Sequence, residues 1–401
     1  MQLSTFNYLS LLDWCRQVET GADLVRSPNS FLIYEKSFRD FFGRPDVYFP
    51  SDEATVEAFG SENPWVSEFT TVTQGFHTCI SEVFAARLDD VVLQRVSLGR
   101  ERYHIFLRPG IAAAESYNAK EICEKLSEIS REIVTMRTGE HEIRAKVYDD
   151  IPVDQWVDQP CVLISHMWMH NYAHWILEVL PRLWYMDAIP ELRELPVVVP
   201  TYPPGSFYEQ TLQALIGNRP RIALPGKAIR FRQLYFSSFR APGAYSRRQI
   251  EWINDKLRPA LGVAATSGAK RRIYITREDA RVRRVSNETA VMAELEARGF
   301  VKQRFSNLSV REQIELMSSA EAIVLPHGAG CANLVFAPEG ARVVELMPES
   351  SVHPMYGMIA KLRGLRYGRL LCPDRGPDHA LDVAIDKLGH ALDCLGVGRA
   401  R

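Results

Sequence analysis

The stretch Ala322–Leu346, AIVLPHGAGCANLVFAPEGARVVEL, contains the pattern on which the fold prediction rests. It begins with an apolar run of the kind that fully buried strands have, and a short loop, Pro326–Gly330, follows. A helix is predicted over Cys331–Phe336, because a proline and a glycine follow it closely. A second apolar run at Val343–Leu346 completes a strand–loop–helix–strand unit, which is typical of an α/β sheet.

The loop of this unit has the composition of an anion-binding loop. The small residues Gly328, Ala329 and Gly330 allow a ligand to approach backbone N–H groups, and the start of the helix behind them favours a negative charge. The same residues are also compatible with a simple tight turn. The loop alone does not decide between the two.

Length and composition limit the classes of protein that need consideration. A chain of 401 residues with 46% hydrophobic and 24% charged residues predicts a globular protein of two domains. Its formal net charge of −1 gives no general attraction to nucleic acid, which we do not expect as a partner. The seven cysteines are scattered and form no CxxC pair, which indicates reduced thiols. No signal peptide or membrane span is expected.

The predicted domain boundary lies in a stretch of small residues, Gly262–Ala269. We therefore predict an N-terminal domain over residues 1–265 and a C-terminal domain over residues 266–401. Residues 1–150 carry no chemical signature, although strands are predicted at Asp90–Val96 and Arg102–Leu107 and a helix at Ala112–Met136.

A group of polar residues begins at Asn171, which is a suitable N-cap for a helix that starts at the next residue. That helix carries His174, Glu178 and Arg182 at four-residue intervals, so that the three side chains share one face. Pro181 is expected to kink or divide it. A strand that leads into such a helix is a common way to place catalytic groups in α/β proteins.

Three interpretations of this face are open from the residues alone. Glu178 beside His174 can act as a general base, with a pKa tuned by its surroundings. Glu178 and Arg182 can equally form an ordinary helix ion pair, with His174 buried and hydrogen-bonded. A metal site built from His166, His170 and His174 is disfavoured, because the spacing is not HExxH and no cysteine or acidic residue completes it.

From residue 271 the chain alternates strand and helix patterns, in an order that predicts a parallel sheet with helices on both faces. The first strand ends at Arg277, a basic loop with Arg281–Arg284 follows, and Ser309–Glu312 forms a capping box. Ligands bind at the carboxyl ends of such strands. We therefore expect Arg277, the basic loop, the His327–Gly330 loop and Glu345 to lie at one edge.

That set of groups suits a nucleoside diphosphate. Arg277 and Arg284 can each pair with phosphate oxygens through two hydrogen bonds. The N–H groups near Gly328–Gly330 can bind the same phosphates, and Glu345 can accept hydrogen bonds from ribose hydroxyls. The alternative is that the basic run is an ordinary solvated loop.

The motifs that are missing also narrow the function. The sequence has no GxxxxGK[ST], no GxGxxG after its first strands and no GxSxG, so P-loop, dehydrogenase and hydrolase interpretations are disfavoured. It has no Asp-x-Asp, the usual manganese ligand of metal-dependent glycosyltransferases. A leaving diphosphate would then be neutralised by Arg, His and helix N-termini.

Over residues from about 160 to about 350, the chain resembles glycosyltransferase family 61, which includes bacterial capsular polysaccharide biosynthesis proteins, plant xylan side-chain transferases and animal O-linked GlcNAc transferases. In the plant members an Asp stands where this chain has Glu178. The motifs that carry the resemblance are Asn171-x-x-His174-x-x-x-Glu178-x-x-Pro181-Arg182, Arg272-Ile-Tyr-Ile-Thr-Arg277, Arg284-x-x-Asn287-Glu288, Gln313, Pro326-His327-Gly328-Ala329-Gly330-x-x-Asn333-x-x-Phe336 and Val344-Glu345-Leu346.

The resemblance implies a GT-B fold, in which two Rossmann-like domains face each other across a cleft. It also implies an inverting reaction, a nucleotide-sugar donor that is most often a UDP-sugar, and neither a metal nor a cofactor. In this hypothesis Glu178, oriented by His174, deprotonates the acceptor hydroxyl, while Asn171 and Arg182 position groups nearby. The residues assigned to the donor are Arg277, Arg284, Asn287, His327, Gly328, Ala329, Gly330, Asn333 and Glu345.

The expected function is sugar transfer to a glycan or glycolipid acceptor in the synthesis of a capsule or another surface polysaccharide. We expect a cytoplasmic location, and any membrane association would be peripheral at the inner face. Two alternatives stay open: a non-catalytic nucleotide-sugar-binding subunit of an assembly complex, and a nucleotide-sugar epimerase. The last helix, after about residue 375, is expected to pack back on the N-terminal domain.

Overall fold

A computed structural model describes residues 153–164, 169–224, 228–237, 245, 247–264, 271–351 and 355–399, and before residue 153 only the strands named below. The chain forms two compact units. The first comprises Met1–Phe41, Ser81–Pro204 and Ile216–Arg240, and the second comprises Phe42–Ile80, Gly205–Leu215 and Ala241–Arg401. The boundary at residue 265 stays a prediction.

The first unit contains one mixed sheet. The strands before residue 150 are β1 (Leu3–Leu9), β2 (Phe31–Ile33), β3 (Asp46–Val47), β4 (Thr78–Cys79), β5 (Ala85–Ser97), β6 (Glu101–Leu107), β7 (Ile111–Ala113), β8 (Ile133–Met136) and β9 (Ile143–Tyr148), of which β3 and β4 belong to the second unit. After them come β10 (Gln155–Val157), β11 (Cys161–Leu163), β12 (Val197–Val199), β13 (Arg221–Ala223) and β14 (Ala228–Ser237). The strand order is β13-β12-β11-β14-β5-β6-β7-β1-β9-β8, with β10 beside β14 and β2 beside β5, while β3 pairs with β4 separately.

The sheet of the first unit changes from parallel to antiparallel pairing at β14. Strands β10 to β14 pair in parallel, and β14 then pairs antiparallel with β5, which pairs antiparallel with β6. The first unit is therefore only in part the Rossmann-like domain that we predicted. The β5–β6 pair confirms the strands predicted at Asp90–Val96 and Arg102–Leu107.

The helix predicted over Ala112–Met136 is wrong at both ends, where the chain forms strands β7 and β8. Residues 114–132 lie outside the described residues. Apolar residues at helical spacing do not exclude a strand, because pairing with a neighbouring strand, here β9 for β8, overrides local preference.

The helix that carries His174 is irregular. It consists of an α-helical turn, a π-helical segment, a 3-10 segment and a final α-helical segment, which together are named α1: Tyr172–His174, Trp175–Val179, Leu180–Leu183 and Trp184–Ala188. As predicted, Asn171 is its N-cap, and its side-chain oxygen accepts a hydrogen bond of 2.9 Å from the N–H of Ala173. Pro181 lies in the 3-10 segment, which confirms the predicted irregularity. A 3-10 turn at Pro190–Leu192 follows.

The second unit contains a five-stranded, fully parallel sheet, as predicted. Its strands are β15 (Arg271–Ile275), β16 (Phe300–Gln303), β17 (Ala320–Pro326), β18 (Arg342–Pro348) and β19 (Arg366–Cys372), in the order β16-β15-β17-β18-β19. A hairpin of β20 (Asp374–Arg375) and β21 (Ala380–Leu381) follows. The central strands β17 and β18 are buried over most of their length, which explains their unbroken apolar sequences.

Further helices follow α1 along the chain. They are α2 (Phe207–Ile216), α3 (Arg247–Ala260), α4 (Glu288–Glu296), α5 (Val310–Ser318), α6 (Met355–Leu362) and α7 (Ile385–Cys394), with 3-10 helices at Phe305–Asn307 and Ala329–Phe336. The predicted capping box of α5 is present: the N–H of Glu312 donates to Ser309 Oγ, and Glu312 accepts from the N–H of Ser309. Helix α3, which precedes the predicted linker, belongs to the second unit.

The last helix packs in the core of its own unit. Leu388, Ala391 and Leu392 of α7 are buried there, together with Leu295 of α4 and Leu370 of β19. Packing of this helix on the N-terminal domain stays a prediction.

Across the residues that the structure describes, no helix is both long and apolar enough to cross a membrane.

Candidate functional site

His174 and Glu178 form a hydrogen-bonded pair on α1. His174 Nδ1 lies 2.8 Å from Glu178 Oε2. Because a carboxylate only accepts, Nδ1 is the donor in this hydrogen bond. The Glu178 side chain is 1% exposed and that of His174 is 16% exposed. The imidazole is therefore the member of the pair that faces outward, with the carboxylate behind it.

Arg182 lies on the inner side of this pair. Its Nε donates to the backbone oxygen of Glu178 at 3.3 Å, and its guanidinium lies 5.4 Å from the centre of the Phe236 ring. Burial lowers its pKa to about 10, against the opposing effects of Tyr185 and Glu178. A buried guanidinium in this position packs α1 against β14, and its role near the acceptor stays a prediction.

In the second unit, Gly328 lies directly below the guanidinium of Arg277. A Cβ at residue 328 would lie 2.7 Å from Arg277 Cζ and closer still to Nη1. The backbone of Gly328 is extended, so the requirement for glycine comes from the side chain above it. The structure therefore brings Arg277 and the His327–Gly330 loop together, as the sequence predicts.

Arg277 is a partly buried cation whose hydrogen bonds are incomplete. Its Nη2 donates to the backbone oxygen of Val282 at 3.3 Å, while its Nε is buried and has no partner among the described residues. Burial lowers the pKa of Arg277, and the like charge of Arg283 lowers it further. A buried guanidinium that faces another cation is an environment that an anion would stabilise.

The loop beside Arg277 also presents backbone donors. The N–H of Cys331 donates to the oxygen of Gly328 at 2.9 Å, which closes the first turn of the 3-10 helix. Within the described part of the chain, the N–H groups of Gly328, Ala329 and Gly330 have no acceptor. The Arg277 guanidinium therefore lies beside the loop that carries these three donors.

His327 is held by two buried residues. Its Nδ1 donates to Glu345 Oε1 at 2.5 Å, and the hydroxyl of Tyr367 donates to Glu345 Oε2. The ring of Tyr356 lies 5.2 Å from the imidazole, centre to centre. Glu345 is completely buried. Both of its oxygens are engaged, so this placement does not support the predicted contact of Glu345 with ribose.

The two predicted asparagines have partners inside the protein. Asn287 Nδ2 donates to the oxygen of Val383 at 2.8 Å, and its Oδ1 accepts from the N–H of the same residue at 3.1 Å. Asn333 is completely buried and donates to Gln313 Oε1 at 2.9 Å. Both asparagines fasten segments of the second unit together, and their donor-binding roles stay predictions.

The predicted Arg284 pairs with the C-terminal hairpin, and its role in donor binding stays a prediction. Arg284 is exposed, and its Nη2 lies 3.3 Å from Asp378 Oδ2. The residue before it, Arg283, is half-buried and acts electrostatically on Arg277. Arg283 and Tyr367 are the residues near the loop that sequence reasoning missed. The run of arginines in the sequence pointed to Arg283, whereas no feature of the sequence pointed to Tyr367.

Among the described residues, no group of three or more His, Cys, Asp and Glu side chains could hold a metal ion. His166, which belongs to the alternative metal site, lies outside the described residues.

Comparison with known proteins relates both groups of residues to one family. The model of the family Glycosyltransferase 61 matches residues 172–344, which include His174, Glu178, Arg277 and the His327–Gly330 loop. Beta-1,2-xylosyltransferase RCN11 of Oryza sativa subsp. japonica is 23% identical to this chain, in an alignment that covers 65% of the chain and 58% of that protein. The chain thus matches under three fifths of that relative's length. These similarities relate residues 172–344 of this chain to glycosyltransferase family 61.

Proposed function

We propose that the protein is an inverting glycosyltransferase that moves a sugar from a nucleoside-diphosphate sugar, first of all a UDP-sugar, to a hydroxyl group of a glycan or glycolipid. The match to the family model over residues 172–344 supports the reaction class. The observation that carries the donor assignment is Arg277, whose buried Nε has no protein partner among the described residues, next to the N–H groups of Gly328–Gly330.

A diphosphate satisfies each of these groups. Its oxygens accept from a guanidinium through two parallel hydrogen bonds and from several backbone N–H groups at once. Negative charge builds up on the leaving diphosphate in the transition state. Fixed donors that face this charge are usually the largest contribution to catalysis.

His327 contributes to the same site through its Nε2. Glu345, which Tyr367 holds in turn, fixes the ring in one orientation. We propose that the imidazole held in this way stabilises the departing phosphate. We therefore assign Glu345 to the positioning of His327 instead of the direct ribose contact that the sequence suggested.

The pair on α1 supplies the base. We predicted from the sequence that Glu178 removes the proton and that His174 orients it. The exposures favour the opposite assignment, because the Glu178 carboxylate is 1% exposed and bonded to Nδ1, while His174 is the more exposed member of the pair, at 16%. We propose that His174 is the base and that Glu178 stabilises the imidazolium that forms.

The reaction is a single displacement. The acceptor oxygen attacks the anomeric carbon as its proton passes to His174 Nε2, and the bond from that carbon to the phosphate oxygen breaks. The electron pair leaves with the diphosphate, and the anomeric configuration is inverted. A positioned base contributes about 10²–10⁴-fold. A GT-B arrangement, a cytoplasmic location and a role in capsule or other surface polysaccharide synthesis belong to the same proposal.

Calorimetric titration with UDP in the presence of EDTA tests the donor site. We expect binding without metal that weakens at least tenfold in Arg277→Ala, and a panel of UDP-sugars with product analysis then identifies the donor. Failure of UDP and of the other nucleoside diphosphates to bind would refute the proposal. Conversion of a UDP-sugar without any acceptor would replace it with epimerase activity.

A further inference from the structure

We propose that Arg283, and not Arg284, is the second arginine that binds the donor diphosphate. This inference rests on the proposed function, because it assigns a further residue to the same donor site. It departs from the motif resemblance, which assigns Arg284. The two arginines are adjacent in sequence, so only their surroundings in the fold distinguish them.

The C-terminal hairpin determines the shape of the basic loop. The N–H of Arg283 donates to the backbone oxygen of Asp378, and the N–H of Leu381 donates to the backbone oxygen of Arg284, both at 2.7 Å. Val285, which follows, is buried in the core. Arg283 itself has a φ of 60°, a left-handed conformation that is uncommon for a residue with a side chain. Contacts more than ninety positions away in the chain therefore hold the loop in a conformation that the local sequence does not favour.

In this conformation Arg284 is directed to the hairpin. Its guanidinium pairs with the carboxylate of Asp378 at 3.3 Å, and its side chain is 52% exposed. An exposed ion pair of this kind contributes little to stability or binding. Arg284 thus has an anionic partner already and lies in solvent.

Arg283 is half-buried, and the backbone before it contacts the other group. The guanidinium of Arg277 donates to the backbone oxygen of Val282, the residue directly before Arg283, so the loop and Arg277 are in contact. The positive charge of Arg283 also acts on Arg277 and on the buried Cys331 and Tyr356 beside the nucleotide loop. The charges of two cations therefore act on each other here, and Arg277 has a buried Nε without a partner among the described residues. A diphosphate between them would neutralise both.

The test is calorimetric titration of the full chain with UDP in EDTA, for the wild type, Arg283→Ala and the matched control Arg284→Ala. Removal of one charge-assisted partner of a phosphate should weaken binding about 10- to 100-fold in Arg283→Ala, while Arg284→Ala should change it by about twofold or less. Arg283→Lys should recover part of the affinity, because the charge remains but the two-bond geometry is lost. The loss in Arg283→Ala should be smaller for uridine, which has no phosphate.

The outcomes separate this inference from the proposed function. If Arg277→Ala weakens UDP binding and Arg283→Ala does not, the donor site stands and the inference is refuted. If Arg284→Ala has the larger effect, the motif assignment is right. If the wild type binds no nucleoside diphosphate, both proposals fail. Circular dichroism and thermal unfolding of each variant show whether a loss of binding comes from misfolding, and Arg283→Lys gives a second variant that preserves the charge in the loop.

Discussion

Replacement of Gly328 by alanine should weaken nucleotide binding without unfolding the protein. The new Cβ would lie 2.7 Å from Arg277 Cζ, whereas carbon atoms in contact are separated by about 3.5–4.0 Å. The guanidinium must therefore move by about 1 Å. It is the far end of a flexible side chain, so the backbone of the loop and the core around β17 do not have to move with it.

The size of the effect follows from this displacement. A shift of a cation from about 4 Å to about 5 Å from a phosphate charge costs roughly 0.8 kcal/mol at an effective dielectric constant of about 20. Loss of good geometry in one hydrogen bond adds about 1 kcal/mol. The sum, about 1–2 kcal/mol, corresponds to an increase of roughly 5- to 30-fold in the Kd for UDP.

Calorimetric titration with UDP measures this effect, and two comparisons identify its cause. Gly398→Ala is the matched control, because no atom lies within 4 Å of a Cβ at that position. When Arg277 has already been replaced by alanine, the additional change Gly328→Ala should weaken binding almost no further, because it acts only through the Arg277 guanidinium. Fully additive losses, or an unchanged Kd in Gly328→Ala, would show that Arg277 above Gly328 is not part of the nucleotide site.

Two further predictions concern the His174–Glu178 pair and the C-terminal hairpin of β20 and β21. Glu178→Gln should lower kcat by about 10- to 100-fold with UDP affinity nearly unchanged, whereas His174→Ala should lower kcat by about 10²–10⁴-fold. A larger loss in Glu178→Gln than in His174→Ala would return the role of base to Glu178. Hydrogen bonds from Ser350 and His379 lower the pKa of Asp374 from 3.8 to about 2, so this carboxylate stabilises the fold above about pH 4 and loses that effect as the pH falls towards 2. The difference in free energy of unfolding between wild type and Asp374→Asn, from urea titrations at pH 5 and pH 3, should therefore shrink at the lower pH, and a constant difference would contradict this coupling.

Much of the second unit was predictable because its signals are local. An apolar run, a loop of small residues and a capping box depend on residues within a few positions of one another, so the strand order along the chain and the N-caps at Asn171 and Ser309 followed from the sequence. The four-residue spacing of His174 and Glu178 likewise required them to meet on one helix face. The resemblance to family 61 rests on the same local motifs.

The tertiary structure alone decided which polar groups face one another. The backbone oxygen of Asp378 accepts a hydrogen bond from the N–H of Arg283, and the backbone of Val383 bonds both ends of the Asn287 amide. The hydroxyl of Tyr367 donates to the second carboxylate oxygen of Glu345. These partners come from strands and hairpins that are remote in sequence, and no periodicity records which of two adjacent arginines will turn inward. The sequence by itself therefore determined the elements and the candidate residues, whereas their exposure, their partners and hence their separate roles depend on packing between distant parts of the chain.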